Sequence, residues 1–158
     1  MKYFLPQEFV LALCLFCRPT QATAWEVGST IPKITAQDQH GAAYVLTNGT
    51  RFLLIATEMA SAKAANQKLA AQAAGFLEER HAVYLMDIHT MPGIARMFAF
   101  PKLRKYPHRI VLVDDAETLS QAPVKPGQIT VLTLTPAGRI EKISYWDPAK
   151  EPVTSVVQ

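Results

Sequence analysis

The chain has 158 residues, of which 49% are hydrophobic and 18% are charged, and its formal net charge is +3. This length is enough for one compact domain with its own core, and the apolar content excludes an intrinsically disordered chain. The densest basic stretch, KLRKYPHR at residues 102–109, is interpreted as a solvated helix end that leads into a loop. We therefore expect no nucleic-acid partner.

The amino-terminal segment has the pattern of a secretory signal. Its apolar run FVLALCLFC, residues 9–17, is too short to cross a hydrocarbon core of roughly 30 Å. Lys2 precedes the run and the small-x-small sequence Ala22-Thr23-Ala24 follows it, which predicts a signal peptide over residues 1–24 and cleavage before Trp25. The alternative is a buried N-terminal helix. After cleavage we expect one domain over residues 25–158 and no membrane span.

Both cysteines of the chain, Cys14 and Cys17, fall inside the predicted signal peptide. The mature chain would therefore have no disulfide and no thiol nucleophile, which excludes thiol–disulfide exchange and peroxide reduction by cysteine. Removing Lys2, Glu8 and Arg18 also reduces the net charge to +2. No G-x-G-x-x-G motif follows a predicted strand, and we expect no cofactor.

The first half of the domain alternates between extended and helical patterns. Residues 27–46 predict two short extended pieces around a His40-Gly41 turn. The apolar run FLLIAT at 52–57 predicts a strand buried on both faces. Apolar residues then recur at three- and four-residue spacing and predict a helix over 61–80, with Ser61 as its N-cap.

The second half continues the alternation and closes with a hairpin. AVYLMDI at 82–88 predicts a strand, and Pro92 suits the first turn of a helix that is disturbed or ended near Pro101. A third buried strand is predicted at 109–115 and a loop at 120–128. The sequence PAGR then separates two strands and is the strongest hairpin signal of the chain. This order predicts an α/β fold with a mixed β-sheet flanked by helices.

Three stretches of the sequence carry a resemblance to known proteins. VGSTIPKITAQDQHGAAYVL at 27–46 is similar to the G-x-x-x-P…D-x-x-G entry of thioredoxin-like proteins of the peroxiredoxin-like branch. IATEMASAKAANQKL at 55–69 resembles the strand-to-helix junction of the YtfJ family of bacterial periplasmic proteins, with one extra residue in the turn. PGIARMF at 92–98 and LRKYP at 103–107 resemble a second block of that family.

This resemblance implies a thioredoxin-like domain in the periplasm that lacks the active-site cysteines. The last stretch, DPAKEPVTSVVQ at 147–158, departs from the pattern because it has two prolines and no amphipathic period. The C-terminal helix of the fold is therefore expected to be short or absent. Apolar surface left uncovered by that helix would favour a periplasmic protein partner or self-association.

Candidate site residues gather where the predicted parallel strands end, since ligands of open α/β sheets bind at that edge. After the first two strands come Thr57 and Glu58, then His89 and Thr90. Lys63 and Asn66 lie three residues apart on the helix, where they would hold an anion or a peptide carboxylate or simply form an exposed polar face. Ser61 is a nucleophile only if a base lies near it, and an N-cap is the favoured interpretation.

No metal site is expected from this sequence. Asp87 and His89 alternate on one strand, but two ligands do not make a zinc site. Asp114 and Asp115 are interpreted as part of a strand-terminal turn rather than as calcium ligands. Four methionines, Met59, Met86, Met91 and Met97, are expected in the core or in pocket walls.

Two classes of function remain from these residues. The first is a non-catalytic, cysteine-free binding module with no catalytic residues. The alternative is a small-ligand-binding protein or a non-thiol enzyme that uses the junction between Glu58 and Asn66. A flavin-dependent oxidoreductase is the most distant alternative.

Overall fold

The computed structural model describes residues 24–158. The predicted signal peptide lies outside the described residues, except for Ala24. Between Ala24 and Gln158, no helix is both long enough and apolar enough to span a membrane.

Seven strands form one mixed sheet with the spatial order β2-β1-β5-β4-β3-β6-β7. The strands are β1 Thr35–Asp38, β2 Ala43–Val45, β3 Phe52–Ala56, β4 Ala82–Asp87, β5 Val111–Val113, β6 Ile129–Leu134 and β7 Ile140–Trp146. The three central strands β3, β4 and β5 are parallel, whereas the hairpins β1–β2 and β6–β7 extend the sheet antiparallel on either side. The predicted mixed α/β sheet is confirmed.

The helices are α1 Met59–Ala70, α2 Phe76–Glu79 and α3 Gly93–Leu103, and a 3₁₀ helix follows at Val153–Ser155. The single helix predicted over 61–80 is wrong, because the chain breaks between α1 and α2. Gly75 there has a φ of 82°, a left-handed conformation that glycine adopts without a steric penalty. Helix α3 contains Pro101 and continues to Leu103.

Both long helices pack on the same face of the sheet. From β3 to β4 to β5 the chain crosses the sheet in one direction, and right-handed crossovers in one direction place their helices on one face. Alternate residues of the central strands, such as Leu54 and Tyr84, form a buried core with Ala65 of α1 and Leu103 of α3. Since neighbouring strand residues point to opposite faces, Leu53 and Leu85 belong to a second core on the other face.

Segments without helices cover the face of the sheet opposite α1 and α3. Trp25, Ile31 and Ile34 from the N-terminal segment and Leu119 from the loop after β5 pack there. The backbone N–H of Trp25 donates to the carbonyl of Gln121 at 2.9 Å, which ties the two covering segments together.

The segment after β7 takes the place of a terminal helix. Val153 and Val157 are buried in the helical-face core, and the indole N–H of Trp146 donates to the carbonyl of Glu151 at 3.1 Å. Trp146 is fully buried. Up to Gln158, only the short 3₁₀ helix follows β7, so the predicted short or absent C-terminal helix is confirmed for the described residues.

Candidate functional site: a groove between two helices

A groove of about 580 Å³ lies between α1 and α3, close to the carboxyl ends of β3 and β4. We call it the α1–α3 groove. Its walls and floor are formed by Met59, Ala60, Lys63, Asn66, Met86, Ala95, Phe98, Ala99, Lys102, Leu103 and Tyr106. This is the edge of the sheet at which ligands of open α/β folds bind.

Another pocket, of about 400 Å³, lies at the opposite edge of the sheet. It is lined by residues that precede the central strands, such as Thr50 and His81, and by Tyr44 and Arg109. Its position at the amino ends of β3 and β4 makes it a less suitable site than the α1–α3 groove.

Helix α1 begins two residues earlier than the sequence predicts. Glu58 is the N-cap, with extended backbone, and its Oε2 accepts the backbone N–H of Gly127 at 3.1 Å. Ser61 is therefore inside the first turn, and the prediction that it caps the helix is wrong. Its hydroxyl is buried and donates to the carbonyl of Glu58 at 3.1 Å. No base contacts this hydroxyl within the described residues, so the arrangement gives Ser61 a structural role.

Asn66 and His108 form a polar contact beneath the groove. The Oδ1 of Asn66 lies 2.9 Å from Nε2 of His108, and Asn66 is only 2% exposed. Lys63, three residues earlier, is exposed. The interpretation of both residues as one exposed polar face is therefore wrong for Asn66, which faces the sheet because α1 packs closely there.

The contact with Asn66 fixes the proton of His108. An amide oxygen only accepts hydrogen bonds, so Nε2 carries the proton and Nδ1 is an unprotonated acceptor. Nδ1 is buried and has no hydrogen-bond partner among residues 24–158. Burial lowers the pKa of His108 to about 4, because a charged imidazolium would be poorly solvated there. His108 is therefore neutral at physiological pH.

Two tyrosines complete the surroundings of His108. The hydroxyl of Tyr84 donates to the carbonyl of Ala62 at 3.4 Å, which joins β4 to α1, and burial raises the pKa of Tyr84. The Tyr106 ring lies 5.4 Å from the His108 ring, between their centroids, at a tilt of 37°. These aromatic and polar contacts form the base of the groove around a neutral His108.

Exposed apolar side chains occur on both helices, and two of them, Met59 and Phe98, line the groove. On α3, Ile94, Met97 and Phe98 are 74%, 72% and 67% exposed, and Met59 at the start of α1 is 52% exposed. Leu103 is the one buried residue of α3. Met86 and Met91 are buried as predicted, and Met59 forms a pocket wall. Met97 instead faces solvent, so its predicted place in the core or a pocket wall is wrong.

Arg96 holds the start of α3 in place. Its guanidinium donates to both carboxylate oxygens of Asp114 at 2.5 Å, and also to the carbonyls of Met91 at 2.9 Å and Ile88 at 2.8 Å. This fork ties the β4–α3 loop to the end of β5, and bidentate pairs of this kind define an orientation as well as a distance. Asp114 therefore has a structural partner that spacing in the sequence does not indicate.

The charged residues of the groove are all basic. Lys63 and Lys102 line it from α1 and α3, and no carboxylate lines it. Within residues 24–158, neither ammonium forms an ion pair with a carboxylate. The site therefore combines exposed apolar side chains with two free cations.

The remaining predicted site residues lie outside the groove lining. The ring of His89 contacts the carboxylate of Asp87, Nδ1 to Oδ1, at 2.6 Å, and Thr90 is exposed in the following turn. Thr57 is half-buried just before α1. Of the seven predicted residues, Lys63 and Asn66 line the groove, Glu58 and Ser61 organise the start of α1, and His89 and Thr90 belong to the neighbouring loop.

The acidic residues after β5 form a turn. Asp115 accepts hydrogen bonds from the backbone N–H groups of Glu117 and Thr118 and from the Thr118 hydroxyl. The bond from the Thr118 hydroxyl is the largest cause of the lowered pKa of Asp115. This confirms the strand-terminal turn. No cluster of three metal-ligating side chains occurs among the residues from Ala24 onward.

Several groove residues escape prediction from the sequence, namely Ala60, Phe98, Lys102 and Tyr106. The available signal is the apolar spacing of Ile94, Met97 and Phe98 in a short helix. Such a pattern ordinarily indicates a buried face, so it identifies the apolar side chains but not their exposure.

No family model matches the chain, and no curated protein sequence matches it. Solved structures do match. A putative thiol:disulfide interchange protein DsbE from Chlorobium tepidum is 13% identical with a TM-score of 0.55, over 84% of this chain and 94% of that one. The thioredoxin domain of a thiol-disulfide oxidoreductase from Bacteroides vulgatus is 16% identical with a TM-score of 0.52, over 85% and 100%.

A third similar structure, the peroxidoxin BcpB from Mycobacterium tuberculosis, is 14% identical with a TM-score of 0.52, over 77% of this chain and 86% of that one. At these identities the matches define the fold and not the activity. The chain has a thioredoxin-like fold. The similar structures are peroxiredoxin-like and thiol–disulfide proteins by name, whereas residues 25–158 of this chain contain no cysteine.

Proposed function

We propose that this protein is a non-catalytic binding module of the periplasm with a thioredoxin-like fold, and that the α1–α3 groove is its binding surface. The observation that carries this proposal is the exposure of Met59 and Phe98, which line the groove from two different helices. Ile94 and Met97 are exposed on the same helix as Phe98, outside the groove lining. Contiguous exposed apolar side chains are uncommon on soluble monomers and are typical of interaction sites.

The energetics favour a partner at this position. Burying one such apolar side chain contributes about 1.5–3 kcal/mol, so a partner that covers several of them gains a substantial part of its binding free energy. The walls need little rearrangement, since α1 is packed on the sheet and Arg96 fixes the start of α3.

The chemistry around α1 supports a non-catalytic role. In thiol-dependent thioredoxin-like proteins a cysteine at the start of this helix is activated by the helix N-terminus, but residues 58–62 here are Glu-Met-Ala-Ser-Ala. The hydroxyl of Ser61 donates its hydrogen bond to the backbone carbonyl of Glu58. The side-chain oxygen of Asn66 accepts a hydrogen bond from His108.

The proposal includes export by a signal peptide over residues 1–24 and membership of the YtfJ family. The support is the sequence pattern of residues 1–24 and the motif IATEMASAKAANQKL at 55–69. The contacts of Ser61 and Asn66 give the motif a physical meaning, because both polar side chains fix α1 on the sheet. Mass spectrometry of the exported protein tests cleavage: a chain that begins at Trp25 is expected, and an intact Met1 would contradict it.

Photocrosslinking tests the binding surface. A photoreactive amino acid replaces Ala60, which is exposed and lines the groove, in the full chain exported by its own host. The matched control carries the same amino acid at Lys142, an exposed position on β7. We expect a discrete protein adduct from position 60 and none from position 142. An adduct from position 142 alone would place the interface elsewhere and contradict the proposal.

A second candidate is a small-ligand-binding protein. The groove volume of about 580 Å³ is within the range of small-molecule pockets. This candidate predicts no protein adduct at position 60 and a compound that raises the melting temperature. The effect of that compound should be lost on Lys63→Ala, whereas Lys142→Ala should retain it.

A further inference from the structure

We propose that the occupant of the α1–α3 groove is an amphipathic helix whose apolar face is flanked by aspartate and glutamate side chains. This inference rests on the proposed function, because it takes the groove as the binding surface. It adds the conformation and the charge of the partner.

The charge of the partner follows from the groove rims. Lys63 projects from α1 and Lys102 from α3, and both line the groove. The Glu58 carboxylate at the N-cap of α1 lies outside the groove lining and accepts the N–H of Gly127. A partner with carboxylates on both sides of its apolar face meets one unpaired ammonium on each rim, whereas a basic partner is repelled by both.

The helical conformation follows from the walls of the groove. Two helices form the walls, and beyond the first turn of α1 their backbone N–H groups are occupied by their own hydrogen bonds. The floor strand β4 pairs with β3 on one side and β5 on the other. An extended peptide would find no free strand edge along the groove, so most of its N–H and C=O groups would lose water without gaining partners. A helix satisfies its own backbone groups before it docks.

The apolar spacing on α3 fits a helical partner as well. Ala95, Phe98 and Ala99 line the groove at positions i, i+3 and i+4, so they form one ridge on the side of α3 that faces the groove. Ridges with this spacing pack into the grooves of another helix. The three helices α1, partner and α3 would then share one apolar seam.

Two other occupants fit less well. A second copy of this chain would bring Lys63 and Lys102 of both copies to the same interface and create repulsion. A membrane surface is flat, whereas the floor residues Met86 and Asn66 are buried between the two helices. A rod-shaped ligand fits between the two helical walls, whereas a bilayer contacts only their rims.

The test uses two fluorescent peptides of about 18 residues, a length at which an isolated helix is stable enough to form. Both carry the same leucine stripe, flanked by glutamate in one and by lysine in the other. Binding to the full mature domain is followed by anisotropy at low ionic strength. We expect the acidic peptide to bind about tenfold more tightly than the basic one, with the preference reduced by salt.

Charge-reversed variants assign the preference to the groove. Lys63→Glu with Lys102→Glu is expected to invert the order of the two peptides. Lys33→Glu with Lys142→Glu changes the net charge equally at two exposed sites outside the groove lining and is expected to preserve the order. Circular dichroism of both double variants checks that they are folded.

The alternative outcomes separate this inference from the proposed function. Equal affinity for both peptides, lost on Phe98→Ala, would overturn the acidic partner and leave the groove as a binding surface. Binding of anionic vesicles that is abolished by Phe98→Ala would overturn the acidic helical partner in favour of a membrane. Dimerisation that is abolished by Phe98→Ala would overturn it in favour of a second copy of the chain. If neither peptide binds, the partner segment crosslinked to position 60 is sequenced. An acidic amphipathic helix in that segment supports the inference, and any other sequence overturns it.

Discussion

The two helices that border the groove are held in different ways. Helix α1 buries Ser61, Ala62, Ala65, Asn66 and Leu69, a mixture of small and polar residues that brings its backbone close to the sheet. Helix α3 buries only Leu103 fully, packs Phe100 partly against the core, and exposes Ile94, Met97 and Phe98. A helix with exposed apolar residues gains little from its own packing, so its position depends on other contacts.

The Arg96 fork provides those contacts for α3. Its hydrogen bonds to Asp114 and to two loop carbonyls hold the helix start, while the exposed apolar side chains of α3 contribute little to folding. The residues that stabilise the fold at this site therefore differ from those of the proposed binding surface. Substitutions can reduce stability or binding without changing the other.

The largest effect on folding is expected from Leu69→Ala on α1. Leu69 is 3% exposed and belongs to the core on the helical face, so the loss of its side chain leaves a cavity and costs about 2–5 kcal/mol of unfolding free energy. Chemical denaturation measures it. Gln67→Ala, at an exposed position on the same helix, is the control; equal losses for both variants would contradict the described packing of α1.

Asn66→Ala should have the next largest effect. It leaves Nε2 of His108 without its acceptor in a buried site, which costs about 1–3 kcal/mol. Lys63→Ala, one turn earlier and exposed, should change stability by less than about 0.5 kcal/mol. If the two variants were equally stable in urea denaturation, the buried Asn66–His108 contact would be refuted.

The neutral His108 predicts a pH dependence of stability. Its pKa is about 4 in the folded protein and about 6.5 in the unfolded chain, so the unfolded state binds more protons between these values. Stability is fully present above pH 6.5 and falls toward pH 4, by at most about 1.4 kcal/mol per pH unit. The pKa values of Asp115 and Asp147 are lowered from 3.8, so these two carboxylates affect the stability at lower pH than His108 does.

Denaturation across pH 4–7 measures this slope. His108→Gln retains an N–H donor for Asn66 and removes the titration, and it should flatten the curve. His40→Gln at an exposed turn should leave the curve unchanged. A slope that persists in His108→Gln would show that another group is responsible.

Arg96→Gln should act locally. The variant loses its bidentate pair with Asp114, so amide hydrogen exchange is expected to accelerate at the start of α3 and in the loop before it. Asp114→Asn should give a milder form of the same pattern, because Arg96 keeps its bonds to the carbonyls of Met91 and Ile88. The double variant should be no faster than Arg96→Gln alone, because the Asp114 pair is already lost in that variant. Additive acceleration would mean that the two residues act separately.

The strands were predictable from local sequence and the exceptions have identifiable causes. Apolar runs such as FLLIAT and the PAGR turn specify strand and hairpin directly, because the residues that determine these elements are consecutive in the sequence. The break in the predicted helix begins at Ala71 and ends at Gly75, the left-handed N-cap of α2. Gly75 within an otherwise helical pattern does not by itself reveal whether the helix continues.

The candidate site was less predictable because its contacts join distant residues. Asn66 and His108 are 42 residues apart, and Glu58 and Gly127 are 69 apart. The sequence locates the strand-to-helix junction and the pair Lys63 and Asn66, but it does not show which of the two is buried. The exposure of α3 is likewise a tertiary property, since its apolar spacing is that of an ordinary buried helix.

The most direct test of the binding surface combines crosslinking at position 60 with Phe98→Ala. Phe98 is 67% exposed, so the substitution should change the unfolding free energy by less than about 0.5 kcal/mol. We predict that the protein adduct disappears while the melting curve stays the same. An adduct of undiminished yield in the folded Phe98→Ala protein would contradict the α1–α3 groove as the binding surface.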